Sequence, residues 1–138
     1  MIISVPTEHE QVTRPDDVHN LLQAVLAQES RIDQDKEHFW VLLLDNRQRI
    51  KVLDLVTLGL VSQSLVHPRE VFTRAIAHRC SSIIIAHNHP SGIVRPSDED
   101  IRVTERLQSA GEIIDIKVID HIITSTRDYY SFKQEGLL

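Results

Sequence analysis

Apolar residues recur at two spacings along this chain, and the change from one to the other marks where helices give way to strands. In "RPDDVHNLLQAVLAQES", Val18, Leu21, Leu22, Val25 and Leu26 fall on one side at helical spacing, behind a proline and two acids that suit a helix start. A first amphipathic helix follows from that. "HFWVLLLDNRQRI" is a continuous apolar run closed by the turn pair Asp45-Asn46, and "IKVLDLVTLG" carries β-branched residues up to Gly59. The two read as adjacent antiparallel strands. "HPREVFTRAIAHRC" then spaces Val71, Phe72, Ala75 and Ile76 for a second helix behind Pro68.

In "SSIIIAHNHP" three consecutive isoleucines imply burial on both faces, as in a central strand covered by helices. Pro90 ends that strand. After "SGIVRP" a third helix is expected from about Ser97 to Ala110, with Gly111 as its C-terminal stop. "IIDIKVIDHIITS" reads as a last strand. The order helix, strand, strand, helix, strand, helix, strand predicts a mixed sheet sandwiched by helices, in one α/β domain over residues 1–138. Exposed edges on such a sheet would suit a homodimer.

Composition narrows the class. Apolar residues make up 41% and charged residues 25% of the 138, which suits a chain that folds on its own. With a net charge of −5 and no block of basic residues, the electrostatic footprint of a dedicated nucleic-acid binder is missing, and only a local basic patch would restore it. No apolar run is long enough to span a bilayer, and "MIISVPTEHEQ" does not read as a leader, so the expected compartment is the cytoplasm. The single cysteine, Cys80, rules out an internal disulfide and a paired-cysteine zinc site, and reads as a small buried residue.

The chemistry concentrates in "IIIAHNHPSGIVRPSDEDIRV". Residues two apart on a strand point to the same side, so His87 and His89 present their rings together, at a strand's carboxyl end where α/β sheets place ligands. A catalytic zinc takes three protein ligands and keeps a position for water, so the pair needs one more donor. Asp98, Glu99 and Asp100 supply candidates, and at a helix start they cannot all face the same way. Ser97 and Asp100 also fit a helix N-cap with its capping-box partner, which is compatible with a metal ligand at the same turn. Gly92 and Pro96 read as residues that shape the loop.

His87-Asn88-His89-Pro90, then ten residues from Pro90 to Glu99, then Asp100, with Ser97 three before the aspartate, resembles the JAMM (MPN+) zinc metallopeptidase signature. "AHNHPSG", "PSDEDI", "HPREVF", "DHIIT" and "YYSF" narrow the resemblance to the RadC family, from about residue 30 to the end. RadC proteins commonly carry an N-terminal helix-hairpin-helix region, and this chain looks like a stand-alone JAMM domain. The resemblance implies the JAMM α/β/α sandwich, related to the cytidine-deaminase fold. It also implies one Zn²⁺ on His87, His89 and Asp100, with water completing the shell.

The same resemblance implies a glutamate general base, matched by Glu37 with His38 in the neighbouring register, and an oxyanion role for Ser97. The implied activity is hydrolysis of a peptide or isopeptide bond in a protein or peptide substrate. Two other classes stand beside it: a DNA repair-associated role through DNA or a protein partner, and a non-catalytic interaction module. The letters "HNH" do not make a nuclease, because HNH endonucleases disperse them over a ββα unit. His9, His19, His67, His78 and His121 have no partner at ligand spacing and read as structural or exposed. For His121 a second reading, with Asp120, is a pair that orients a ligand from behind.

Overall fold

Every residue of the strand His38–Leu44 is buried, as a central strand covered on both faces requires. The computed structural model describes residues 1–62 and 64–138. Its strands are β1 (Ile2–Ile3), β2 (His38–Leu44), β3 (Ile50–Leu58), β4 (Ser82–Asn88), β5 (Lys117–Thr124) and β6 (Tyr129–Ser131). Its helices are α1 (Pro15–Ala27), α2 (Arg31–Gln34), α3 (Pro68–Ala77) and α4 (Asp98–Ile114). The strands form one mixed sheet in the order β1-β3-β2-β4-β5-β6. β4 and β5 run parallel with α4 as their crossover, and the other neighbours are antiparallel.

Alternation along β2 and β4 divides the interior into two cores. Phe39, Val41, Leu43, Ile83 and Ile85 pack with Val71, Phe72 and Ala75 of α3 and with Val103 and Leu107 of α4. Trp40, Leu42, Leu44, Ile84 and Ala86 pack on the opposite face with Val18, Leu21, Leu22 and Val25 of α1. The chain is an α/β/α sandwich, with helices on both faces of the mixed sheet. Cys80 lies in the α3/α4 core, where burial pushes its thiol pKa up, so it behaves as a small apolar residue.

The structure departs from the sequence reading at α4, at both sheet edges and at the one-turn helix α2, which the predicted order lacks. Gly111 does not end α4: the helix runs on to Ile114, and Asp115 takes the left-handed cap conformation at φ 59°. A Cβ on Gly111 would lie 2.3 Å from the Ile116 carbonyl oxygen, so the glycine serves close approach rather than termination. Ile113 and Ile114 accordingly belong to α4, with Ile113 86% exposed. β1 and β6 are short edge strands absent from the predicted order, and each follows a partner's edge. No helix among the described residues is long and apolar enough to cross a membrane.

Candidate metal centre

His87 ends up inward because the run of isoleucines before it alternates across a fully buried strand, placing its ring on the α3/α4 face against Phe39 at a centroid distance of 6.2 Å. The ladder to β5 persists one residue further, through His89 N–H donating to Thr124 O at 2.9 Å. Pro90 has no N–H to continue it. A turn closed by Gly92 N–H to His89 O at 3.0 Å, with Gly92 at φ +91°, folds the chain back. The Ile93 carbonyl then lies 2.7 Å from His89 Nδ1 and accepts from it, which turns Nε2 toward His87.

The third group comes from the start of α4. Ser97 caps the helix: its Oγ accepts from Asp100 N–H at 3.1 Å, and its own N–H donates to Asp100 Oδ2 at 2.8 Å. That reciprocal box pins the carboxylate against the histidines. His87 Nε2 lies 3.2 Å from Asp100 Oδ1 and His89 Nε2 lies 3.2 Å from Asp100 Oδ2. The two Nε2 atoms are 3.0 Å apart. Capping and convergence on the histidines are therefore one arrangement. Asp98 and Glu99 do not join the cluster; Glu99 lines the adjoining cleft and accepts from Arg102 at 3.0 Å.

Ligand atoms about a tetrahedral ion with bonds of about 2.0–2.1 Å lie about 3.3 Å from one another. The separations of 3.0–3.2 Å here fit such a shell with little movement. Two imidazoles and a carboxylate suit a divalent first-row ion. Among the described residues, no other group of three histidine, cysteine or acidic side chains converges in this way.

Electrostatics agree with a site built for positive charge. Burial opposes ionisation of Asp100, but the contacts of His87 and His89 and the Ser97 N–H outweigh it and hold the carboxyl well below the usual carboxylate range. Burial also works against a charged His89, yet the hydrogen bonds to Asp100 and the Ile93 carbonyl, with the charges of Asp100 and Glu37, raise its pKa.

Glu37 and Ser97 share with His89 and Asp100 a cleft of about 380 Å³, walled on its apolar side by Leu60 and Pro90. Glu37 is anchored twice: its carbonyl accepts from Gly59 N–H at 2.7 Å and its Oε2 accepts from Val61 N–H at 3.0 Å. The neighbouring register resolves by parity. His38 lies on the α1 face, stacked on Trp40 at 5.0 Å, with Nε2 2.5 Å from Glu29 Oε2 and Nδ1 2.9 Å from the Lys36 carbonyl. It does not reach the cleft.

Of the remaining histidines, His121 is fully buried and its Nε2 lies 2.8 Å from His87 Nδ1. Complete burial, aided by the charge of His87, pushes its pKa well below the ordinary imidazole value. Asp120, read as its companion, turns elsewhere and accepts from Ser131 Oγ, Lys133 N–H and His121 N–H. His19 bonds Thr124 Oγ1, and His9, His67 and His78 lie partly exposed outside the cluster. No spacing in the sequence joins Thr104 to the site, yet its Oγ1 contacts both His121 Nδ1 and the Asp100 carbonyl.

Residues 12–137 match the family described as the RadC-like JAB domain. The chain belongs to that family. A UPF0758 protein of Caldanaerobacter subterraneus subsp. tengcongensis is 43% identical over 136 residues, covering 99% of this chain and 56% of its own length. One of Alkaliphilus oremlandii is 44% identical over 136 residues, with 99% and 56% covered. One of Desulforudis audaxviator is 48% identical over 103 residues, with 75% and 45% covered. The chain spans about half the length of the relatives it matches.

Proposed function

We propose that this RadC-like JAB domain is a zinc-dependent hydrolase that cuts a peptide or isopeptide bond in a protein or peptide substrate. One observation carries the reading: Glu37 and Ser97 border the same cleft as His89 and Asp100, two of the three side chains that converge with His87. When bound by that triad, zinc polarises the scissile carbonyl and brings the pKa of water toward about 7. Glu37 handles the proton, accepting it from the attacking water and returning it to the leaving amine. Its anchor on Val61 N–H holds the carboxylate in the cleft. Ser97 Oγ accepts from Asp100 N–H and keeps its own proton, which it donates to the oxyanion that develops in the transition state.

A DNA-associated role draws on no comparable feature, given the net charge of −5. The test is cleavage of a randomised peptide library and an isopeptide-linked lysine library by the zinc-loaded protein, read by mass spectrometry. Wild type cuts one of the two sets, and Glu37→Gln retains zinc while losing about 10²–10⁴ in rate. Folded, zinc-loaded wild type that cuts neither set contradicts the proposal.

A further inference from the structure

We infer that Asn88 is a positioning residue: its side-chain amide grips the backbone on either side of Glu37 and so sets where that carboxylate stands in the cleft. The inference rests on the proposed role of Glu37 in handling the proton. Asn88 lies between His87 and His89 and is only 3% exposed. Its Oδ1 accepts from His38 N–H at 2.6 Å, and its Nδ2 donates to the Lys36 carbonyl at 3.0 Å. The residue between those two contacts is Glu37. The partners fix which way the amide points, because a backbone N–H only donates and a carbonyl only accepts.

Strand geometry explains why an amide stands there. The paired residues of β2 and β4 end at Phe39 and His87, while β4 continues its ladder toward β5, with Asn88 opposite Thr124 and His89 N–H on the Thr124 carbonyl. A side-chain amide carries one donor and one acceptor, as a peptide group does, and so supplies a further rung toward the chain entering β2. Ile84 and Ala86, which share its face of β4, are apolar. A polar side chain buried beside them costs free energy unless it is bonded, and both ends of this amide are.

β2 lies between β3 and β4 in the sheet, and Glu37 is held from the β3 side as well. Gly59 N–H donates to its carbonyl at 2.7 Å and Val61 N–H to its Oε2 at 3.0 Å. Glu37 is suspended between these contacts and Asn88. The His87 ring points to the opposite face of β4 from Asn88, and His89 has its own supports on the Thr124 and Ile93 carbonyls. Loss of the amide therefore frees Glu37 and leaves the metal-facing rings in place. A misplacement of about 1 Å at a reacting group costs about 10²-fold in rate.

Two readouts test the inference on Asn88→Ala and the milder Asn88→Ser, each checked for folding. The first needs neither metal nor turnover: amide hydrogen exchange by NMR on the metal-free protein. The N–H groups of His38, Gly59 and Val61 are expected to exchange about tenfold faster, with His89 N–H unchanged. Acceleration at His38 alone makes the amide a local contact, and uniform acceleration that includes His89 makes it a general stabiliser; either overturns the inference. The second is turnover of the zinc-loaded protein, where kcat is expected to fall about 10²-fold with KM and zinc content kept. In a Glu37→Gln background Asn88→Ala is expected to change kcat by less than about twofold, and an equal loss in both backgrounds overturns it. Wild type that cuts no substrate removes the proposed function, and the exchange pattern then decides the clamp by itself.

Discussion

Two histidine–carboxylate contacts lie on opposite faces of one sheet, and they differ in how many ring nitrogens the protein itself consumes. His38 spends both, on Glu29 Oε2 and the Lys36 carbonyl, at the end of the α1 face. His87 and His89 each spend only Nδ1, and their Nε2 atoms face one another and a single carboxylate, Asp100. The first arrangement is closed and has no nitrogen to offer an ion. The second is open, and its open atoms are held at the spacing of a coordination shell. Burial does not separate the two, since His38 and His87 are both fully buried. What separates them is whether backbone and side-chain partners leave one nitrogen per ring pointing at the same place.

The largest expected effect sharpens the open side. Glu37→Gln leaves all three metal-facing side chains in place, so zinc content stays at the wild-type level while turnover falls about 10²–10⁴-fold. Parallel metal analysis and single-turnover rates check this. A variant that loses zinc along with activity would make Glu37 part of the metal shell and break the distinction.

Gly111→Ala acts on the same side through the seat of α4. The added methyl meets a backbone carbonyl at 2.3 Å, which cannot swing aside, so stability falls toward the upper end of about 1–3 kcal/mol despite the better helix propensity of alanine. Chemical denaturation measures it. On the closed side, Glu29→Ala strands a buried histidine nitrogen and costs about 1–2 kcal/mol, reduced because Glu29 is partly exposed. Zinc content is unaffected in that variant.

The smallest effect lies at the start of α1. Asp17 is slightly buried, which opposes ionisation, but the Thr13 N–H, Arg14 N–H and Thr13 hydroxyl all donate to it and lower its pKa. A lowered folded pKa means a contribution fully present above the unfolded value and lost as pH falls through the folded one. Asp17→Asn therefore costs under about 1 kcal/mol at neutral pH, discounted for exposure, and the difference from wild type shrinks below about pH 4. Paired melts at neutral and acidic pH show this convergence.

Features set by local signals were legible in the sequence. The isoleucines of β4, Pro90 as its stop, and the reciprocal pairing of Ser97 with Asp100 depend on residues within a turn or two of one another. The spacing of His87 and His89 translated directly into a shared face, and the resemblance selected Asp100 among three adjacent acids. Features set by pairing between distant segments were harder to read. Glu37 and His38 are consecutive, and only the pairing of β2 with β4, which puts Phe39 opposite His87, assigns one to the cleft and the other to Trp40.

His121 was obscured for a related reason, because a one-residue bulge reverses the alternation that the sequence suggests. Gly111 carried two meanings that composition does not distinguish, a helix stop or a close approach. Asp115 took the first role and left Gly111 the second. β1 and β6, two and three residues long, have too few positions to show a period.

The central claim is that the open cluster, and not the closed pair, holds a metal ion. Elemental analysis of zinc per chain tests it most directly, on protein purified without affinity tags or chelators and supplied with zinc, for wild type, Asp100→Ala and Glu29→Ala, each confirmed as folded. The account predicts about one zinc in wild type and in Glu29→Ala and none in Asp100→Ala. Folded wild type without zinc, or Asp100→Ala that still holds it, would contradict the account.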